Sequence, residues 1–251
     1  MIASNLARIR ESLPERVKLV AVSKFHPVGT LQEAYAAGQR VFGENRPQEF
    51  SAKVPLMPSD VEWHFIGHLQ TNKLKLVLPY AHLIHSVDSL RLLQAVERWA
   101  EANARTVHAL LELHLGAEET KGGFDEAGIT AVLQEYAAGA CPHVRLHGLM
   151  GMATFTEDES VVRADFARIA ALKRRLDADF PQLTDFTELS IGMSGDWRIA
   201  LEYGATIVRI GTAIFGHAST DPDHSAFSSA IMARATAAEV PVPPRASRIS
   251  R

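Results

Sequence analysis

Cysteine is almost absent from this sequence. Cys141 stands alone among 251 residues, which excludes an intramolecular disulfide and any metal site built on several thiolates, and suits a reducing compartment. Long apolar runs are missing too. No stretch is long and apolar enough to span a bilayer, and the opening MIASNLARIRESLPERVKL lacks the continuous apolar segment of a secretion signal. A cytoplasmic protein without a membrane anchor is the expectation. Nor is there an excess of positive charge: Lys and Arg number 26 against 29 Asp and Glu, a net charge of −3 with histidines neutral. That balance leaves no electrostatic footprint for nucleic acid or an anionic membrane. What remains is 47% hydrophobic and 22% charged, ample for one sizeable core, although length alone allows one domain or two.

Short apolar or β-branched runs alternate with longer amphipathic stretches along the chain. Strands are predicted over 17–22, 39–43, 61–67, 81–87, 107–115, 144–150, 186–192 and 205–211, with helices over 28–37, 46–53, 70–78, 89–103, 125–138, 157–179 and 196–203. The clearest helix carries Val162, Phe166, Ile169, Leu172 and Leu176 on one stripe with charges opposite. About eight βα units of this regularity predict a parallel sheet closed into a single (β/α)8 TIM barrel, in the α/β class, with an extra N-terminal helix to about Leu13. An open doubly wound sheet also fits the alternation. Its usual glycine-rich first turn is missing, however, because SKFHPVG contains no G-x-G-x-x-G. The barrel is expected over 1–217. The Pro-, Ser- and Ala-rich stretch 218–251 reads as a surface appendage or disordered extension.

In such a barrel the active face lies where the strands end, so the residues just after each strand become candidates together. LVAVSKFHP stops a buried run at Lys24, whose stem packs but whose ammonium must reach water, a partner or a ligand. After the seventh and eighth strands come GMSGDW and IGTAIFG, in which Ser194 with Gly195, and Gly211 with Thr212, stand where a loop enters a helix. Backbone N–H groups there, with the two hydroxyls, suit a phosphate, and barrels often hold one in the loops after these strands. The competing reading is that the glycines allow tight turns and the hydroxyls cap helices. Arg209 alternates with Val208 and Ile210, so it shares the inward face with Ile207. A guanidinium only donates, and its acceptor is either a ligand atom or a buried carboxylate such as Glu112 or Glu188.

A lysine able to form a Schiff base, a phosphate site and an arginine across the barrel together point to pyridoxal 5′-phosphate, with Arg209 donating to the ring nitrogen. A ring nitrogen in that position stays unprotonated, which weakens the ring as an electron sink and disfavours carbanion chemistry of the aminotransferase kind.

The motifs LVAVSKFHP, AGQRVFGENRPQE, WHFIGHLQTNK, SVDS, ETKGGF, GLMGMAT and LSIGMSGDWRIALEYGATIVRIGTAIFG resemble, over nearly all of residues 5–217, those of the pyridoxal-phosphate homeostasis proteins. That resemblance implies the fold-type III barrel shared with the N-terminal domain of alanine racemase. It implies that Lys24 is the Schiff-base lysine, that Ser194, Gly195, Gly211 and Thr212 hold the phosphate, and that Arg209 faces the ring nitrogen. Asn45, His64 and Met150 would line the ring or its surroundings. The racemase's second domain supplies a tyrosine base on the opposite face of the cofactor, and residues 218–251 are too few to form it. The expectation is therefore a monomeric carrier or buffer acting in vitamin B6, amino-acid and keto-acid balance, without an established reaction. Its partners are pyridoxal phosphate and the apo-enzymes that receive it. The alternatives are a weak racemase-like enzyme and a lysine Schiff-base lyase on a sugar phosphate.

Other groups carry less. His64 and His68 have no strand geometry for a shared metal, and no metal site is expected. His143 and His147 read as hydrogen-bonded structural residues. Lys73 with Lys75 reads as a solvated face that also suits guarding a cofactor entrance. Cys141 precedes Pro142 without a histidine partner, so a catalytic thiol is not expected.

Overall fold

Each strand of this protein pairs with the next in sequence, and the last pairs with the first, so the sheet has no open edge. A computed structural model describes residues 1–116 and 122–217. The strands are β1 (Lys18–Val22), β2 (Val41–Glu44), β3 (Glu62–Phe65), β4 (Leu83–Val87), β5 (Val107–Leu113), β6 (Val144–Gly151), β7 (Glu188–Ser190) and β8 (Ile207–Ile210). All pair in parallel, and β1 closes on β8 with Lys18 opposite Ile207 and Val20 opposite Arg209. Every strand therefore ends at the same mouth.

Around the barrel run α1 (Ile2–Ser12), α2 (Val28–Ala36), α3 (Pro47–Lys53), α4 (Leu74–Val77), α5 (Leu90–Ala102), α6 (Glu126–Ala137), α7 (Glu159–Asp179), α8 (Trp197–Glu202) and α9 (Thr212–Phe215). Local chemistry sets their starts. Pro47 occupies the first turn of α3, where its missing N–H costs nothing. Ser89, Asp125 and Asp158 accept from the amides of Leu92, Gly128 and Ser160 to cap α5, α6 and α7. In α7 the stripe Val162, Phe166, Ile169, Leu172 and Leu176 is buried against the sheet.

Three segments differ from the sequence expectation. The helix predicted over 70–78 is a 3-10 turn at Thr71–Lys73 followed by the four-residue α4, because Thr71 and Asn72 favour turn geometry over helix. The strand predicted from residue 39 starts at Val41: the Gln39 amide donates to the carbonyls of Leu19 and Val41 and substitutes for ladder pairing. The strand predicted over 186–192 is only three residues long, and Gly192 at φ +96 turns the chain out of the sheet. The extension expected over 218–251 lies outside the described residues.

Two apolar layers hold the molecule together. The larger fills the space between sheet and helices. The smaller, Val20, Leu83, Leu110, Met150 and Ile207, fills part of the barrel interior. The rest of that interior is polar: His64, His85, Glu112, Ser190 and Arg209 are all buried, whereas the buried Ser23 and Glu44 meet Lys53 of α3 on the helix side of the sheet. Helix α1 braces the last turn of the barrel, where the Asn5 side chain donates to the Ile214 carbonyl at 2.9 Å. Among the described residues no helix is long and apolar enough to cross a membrane.

Candidate functional site

Lys24 is half-buried, two residues beyond the end of β1. Its Nζ lies 5.8 Å from the centroid of the Phe25 ring, and it forms no ion pair with a carboxylate among the described residues. The loop after β8 comes against the same strand end. A Cβ added to Gly211 would stand 3.1 Å from the Val22 carbonyl oxygen, so glycine is what lets the two backbones approach so closely.

The loops after β7 and β8 converge on one hydroxyl. Ser194 Oγ accepts from the backbone N–H of Gly211 at 3.2 Å and from that of Ala213 at 3.4 Å. The Asp196 carboxylate accepts from the Met193 amide at 2.5 Å and fixes the first of these loops. Gly195, at its exposed tip, has no atom within 4 Å of where a Cβ would be. Thr212 is exposed at the first position of α9. Together these groups form a cradle open to solvent on one side, in which Ser194 Oγ takes the Gly211 and Ala213 amides and the Ser194 and Thr212 hydroxyl protons remain to be donated.

Arg209 lies deeper, 3% exposed. It is held by neutral acceptors: Nη1 donates to the Ser190 carbonyl at 2.7 Å and to Ser190 Oγ at 2.5 Å, and Nη2 donates to the Gly151 carbonyl at 2.9 Å. No carboxylate pairs with it among the described residues, and Glu188 instead accepts from the Thr206 hydroxyl. Burial lowers Arg209 to about 10, against the pull of Glu112 and Asp196. It is still a cation at neutral pH. Of its five N–H bonds, three are used in this way, which leaves the Nε–H and one Nη2–H without an acceptor among the described residues. Glu112 is pushed up to about 7, first by burial and then by the neighbouring Asp88.

The remaining expected residues sit at different depths. Asn45 follows β2, and its Oδ1 is buried without a hydrogen-bond partner among the described residues; the loop carrying it packs so tightly on the next that a Cβ at Gly67 would fall 2.1 Å from the Asn45 carbonyl oxygen. Met150 is one layer down, in the interior apolar cluster beside the residue that receives Arg209 Nη2. His64 is buried below the mouth. Its Nδ1 is 2.8 Å from His85 Nε2, and His85 Nδ1 is 2.9 Å from Ser190 Oγ, so it reaches Arg209 only through two intermediates.

His85 and Ser190 are the members that reading the sequence missed. The signal was present in LIHSV, where a histidine interrupts an apolar strand as Lys24 does in the first.

Beside the mouth, a polar cleft of about 480 Å³ is lined by His68, Gln70, Asn72, Asp88 and Arg91 among others. His68 Nδ1 meets Asp88 Oδ2 there at 2.9 Å. None of the residues expected to hold a cofactor lines it. His143 bonds to Glu97, His147 to His108, and among the described residues no cluster of three or more His, Cys, Asp or Glu side chains has the geometry to hold a metal ion.

The model of the alanine racemase N-terminal domain family matches residues 1–219. The pyridoxal phosphate homeostasis protein of Vibrio alginolyticus is 38% identical over 208 residues, spanning 81% of this chain and 87% of its own. That of Aquifex aeolicus is 40% identical over 200 residues, spanning 79% and 86%. This chain belongs to the pyridoxal phosphate homeostasis protein family. Among solved structures, PipY of Synechococcus elongatus with PLP bound is 40% identical, covers 86% of this chain and 100% of its own, and superposes with a TM-score of 0.78. Alanine racemase from Corynebacterium glutamicum, at 18% identity and a TM-score of 0.67, shares the fold. The match covers 60% of that racemase. The homeostasis family and the racemase thus have the closed barrel of eight strands in common.

Proposed function

We propose that this protein binds pyridoxal 5′-phosphate reversibly at the barrel mouth and serves as a carrier or buffer of the cofactor in vitamin B6 balance. One observation carries the reading: Ser194, Gly211 and Ala213 gather hydroxyl and amide groups at the mouth where Lys24 follows the end of β1, with Arg209 beneath. Its fit rests on three features. Asn45 Oδ1 is a buried acceptor in need of a donor. Arg209 has N–H groups to spare. Gly195 leaves the cradle open where a side chain would fill it.

When bound, the group supplies an aldehyde that joins a primary amine with loss of one water and is released by the reverse reaction, and a phosphate dianion that anchors it. Lys24 is the amine. Ser194, Gly195, Gly211 and Thr212 hold the phosphate through backbone N–H and hydroxyl donors. Arg209 stays protonated, donates to the ring nitrogen and delivers no proton to it. That favours storage over carbanion chemistry. Asn45, Met150 and, from below, His64 complete the surroundings. The protein acts as a monomer in the cytoplasm and passes the cofactor to apo-enzymes.

The test is a visible absorbance spectrum of the purified protein with added pyridoxal phosphate, before and after borohydride, with Lys24→Ala alongside. A yellow band that reduction fixes onto Lys24, together with no turnover of amino acids, is the expected result. An unchanged spectrum, or a modified residue other than Lys24, overturns the reading.

A further inference from the structure

Lys24 occupies the second position of a tight turn, closed by the His26 amide donating to the Ser23 carbonyl at 3.1 Å. The third residue is Phe25, with φ +65. Turns of this shape favour glycine at that place, because a side chain there crowds the backbone. An aromatic residue persists in a left-handed conformation only when its surroundings hold it.

What holds it is a second lysine. Lys53, in the last turn of α3, is 4% exposed. Its Nζ uses all three donors: to the Ser23 carbonyl at 2.8 Å, to Glu44 Oε1 at 2.7 Å and to Glu49 Oε1 at 2.6 Å. Glu49 Oε1 also accepts from the Phe25 amide at 2.8 Å, and the Ser23 hydroxyl donates to Glu44 Oε1 at 2.6 Å. The residue before Lys24 and the residue after it are thus tied to one buried ammonium, directly or through a carboxylate. The Phe25 ring is also met by two cations, the Arg46 guanidinium 4.6 Å from its centroid and Lys24 Nζ 5.8 Å from it.

From this geometry we propose that Glu44, Glu49 and Lys53 are positioning residues for Lys24: a buried clamp that keeps Phe25 left-handed and so fixes where the Lys24 amine points. A buried lysine is costly unless every donor is paired. Here each of its contacts is to the turn or to a carboxylate that also bonds the turn. The stretch GENRPQEFSAK therefore serves the amine from below, while the loops after β7 and β8 serve the phosphate. The inference rests on Lys24 being the attachment point.

Glu49→Ala is the test, since removing Lys53 would leave the buried Glu44 and the half-buried Glu49 uncompensated. The expected result is covalent attachment of pyridoxal phosphate at Lys24 slowed by at least about tenfold, the scale on which small misplacements of a reacting group act. Affinity for pyridoxine 5′-phosphate, which has no aldehyde and reports the phosphate site alone, should stay within about twofold of native. Glu49→Gln retains an acceptor oxygen and should attach nearly as fast as native. Adding Phe25→Gly to Glu49→Ala should restore much of the rate, because glycine adopts φ +65 unaided. Equal attachment rates in folded Glu49→Ala and native protein overturn the clamp. A native protein that never attaches the cofactor at Lys24 overturns the underlying reading instead. Should Glu49→Ala not fold, amide hydrogen exchange on the native protein decides: the Phe25 N–H must be protected like a strand amide, and exchange at the open-loop rate overturns the proposal.

Discussion

Ser190 stands between Arg209 and His85, accepting from Arg209 Nη1 at 2.5 Å and meeting His85 Nδ1 at 2.9 Å. The arginine can only donate, so the serine proton is free to go to His85 Nδ1 as acceptor. His85 then carries its proton on Nε2 and gives it to His64 Nδ1 at 2.8 Å. His64 in turn carries its proton on Nε2, which is buried 4.0 Å from Glu62 Oε1, out of hydrogen-bond reach and with no other acceptor among the described residues. One polar chain with a single direction therefore runs from Arg209 through Ser190 and His85 to His64.

That direction is measurable in the imidazole nitrogens. Burial lowers the affinity of both histidines for a second proton, and most strongly at His85, where His64 and Arg209 add to it. Nitrogen NMR at about pH 7 should find both rings neutral and protonated on Nε2. Below the ordinary value of 6.5 the unfolded chain takes up protons that the folded one refuses, so these groups make stability fall as the pH falls. A cationic ring at either position would mean that the chain runs otherwise.

Ser190→Ala removes the hydroxyl and leaves an Arg209 N–H and His85 Nδ1 unpaired in the interior. The expected loss is about 1–3 kcal/mol of stability by denaturant unfolding. Arg209 keeps the Ser190 and Gly151 carbonyls, so on the proposed reading pyridoxal phosphate should still bind, with its absorbance maximum shifted as the guanidinium loses one restraint. A variant with native stability would show that the hydroxyl bond contributes nothing net.

Glu112 predicts a pH dependence of the opposite sense. Its folded value of about 7 lies above its ordinary 4.5, so between those limits the folded state binds the extra proton. Stability then falls as the pH rises through the window and levels off above it. Glu112→Gln, which mimics the protonated carboxyl, should add about 3 kcal/mol at pH 8 and little at pH 4.5. A loss at pH 8 would mean instead that Arg209 holds the carboxylate ionised.

The sequence made Lys24 legible because a charge at the end of an apolar strand has few explanations, and Arg209 because alternation with Ile207 fixes the face it points to. The barrel followed from regular alternation of the two periods. Lys53 was not legible. It closes a helix pattern where a lysine ordinarily faces water, and only the packing of α3 beneath the first turn reveals three buried acceptors. His85 and Ser190 escaped for a related reason: they lie 105 residues apart, and small polar residues in buried strands have no pattern of their own. Contacts made by barrel closure depend on register between strands, which the spacing of apolar residues along one strand does not encode.

The two glycines of the cradle separate space for a ligand from space for the fold. At Gly195 a methyl group meets nothing within 4 Å, whereas at Gly211 it comes 3.1 Å from the Val22 carbonyl oxygen. Gly195→Ala should therefore leave the unfolding free energy within about 0.5 kcal/mol of native. If the phosphate sits against that loop, the same change should weaken pyridoxal phosphate binding by about tenfold, since the methyl takes space from the anion and its backbone donors. Gly211→Ala should weaken binding and also cost about 1 kcal/mol or more, because Val22 must yield. Titration calorimetry with thermal unfolding on both variants gives the comparison. Full affinity in Gly195→Ala would move the phosphate away from the β7 loop and onto the β8 loop alone.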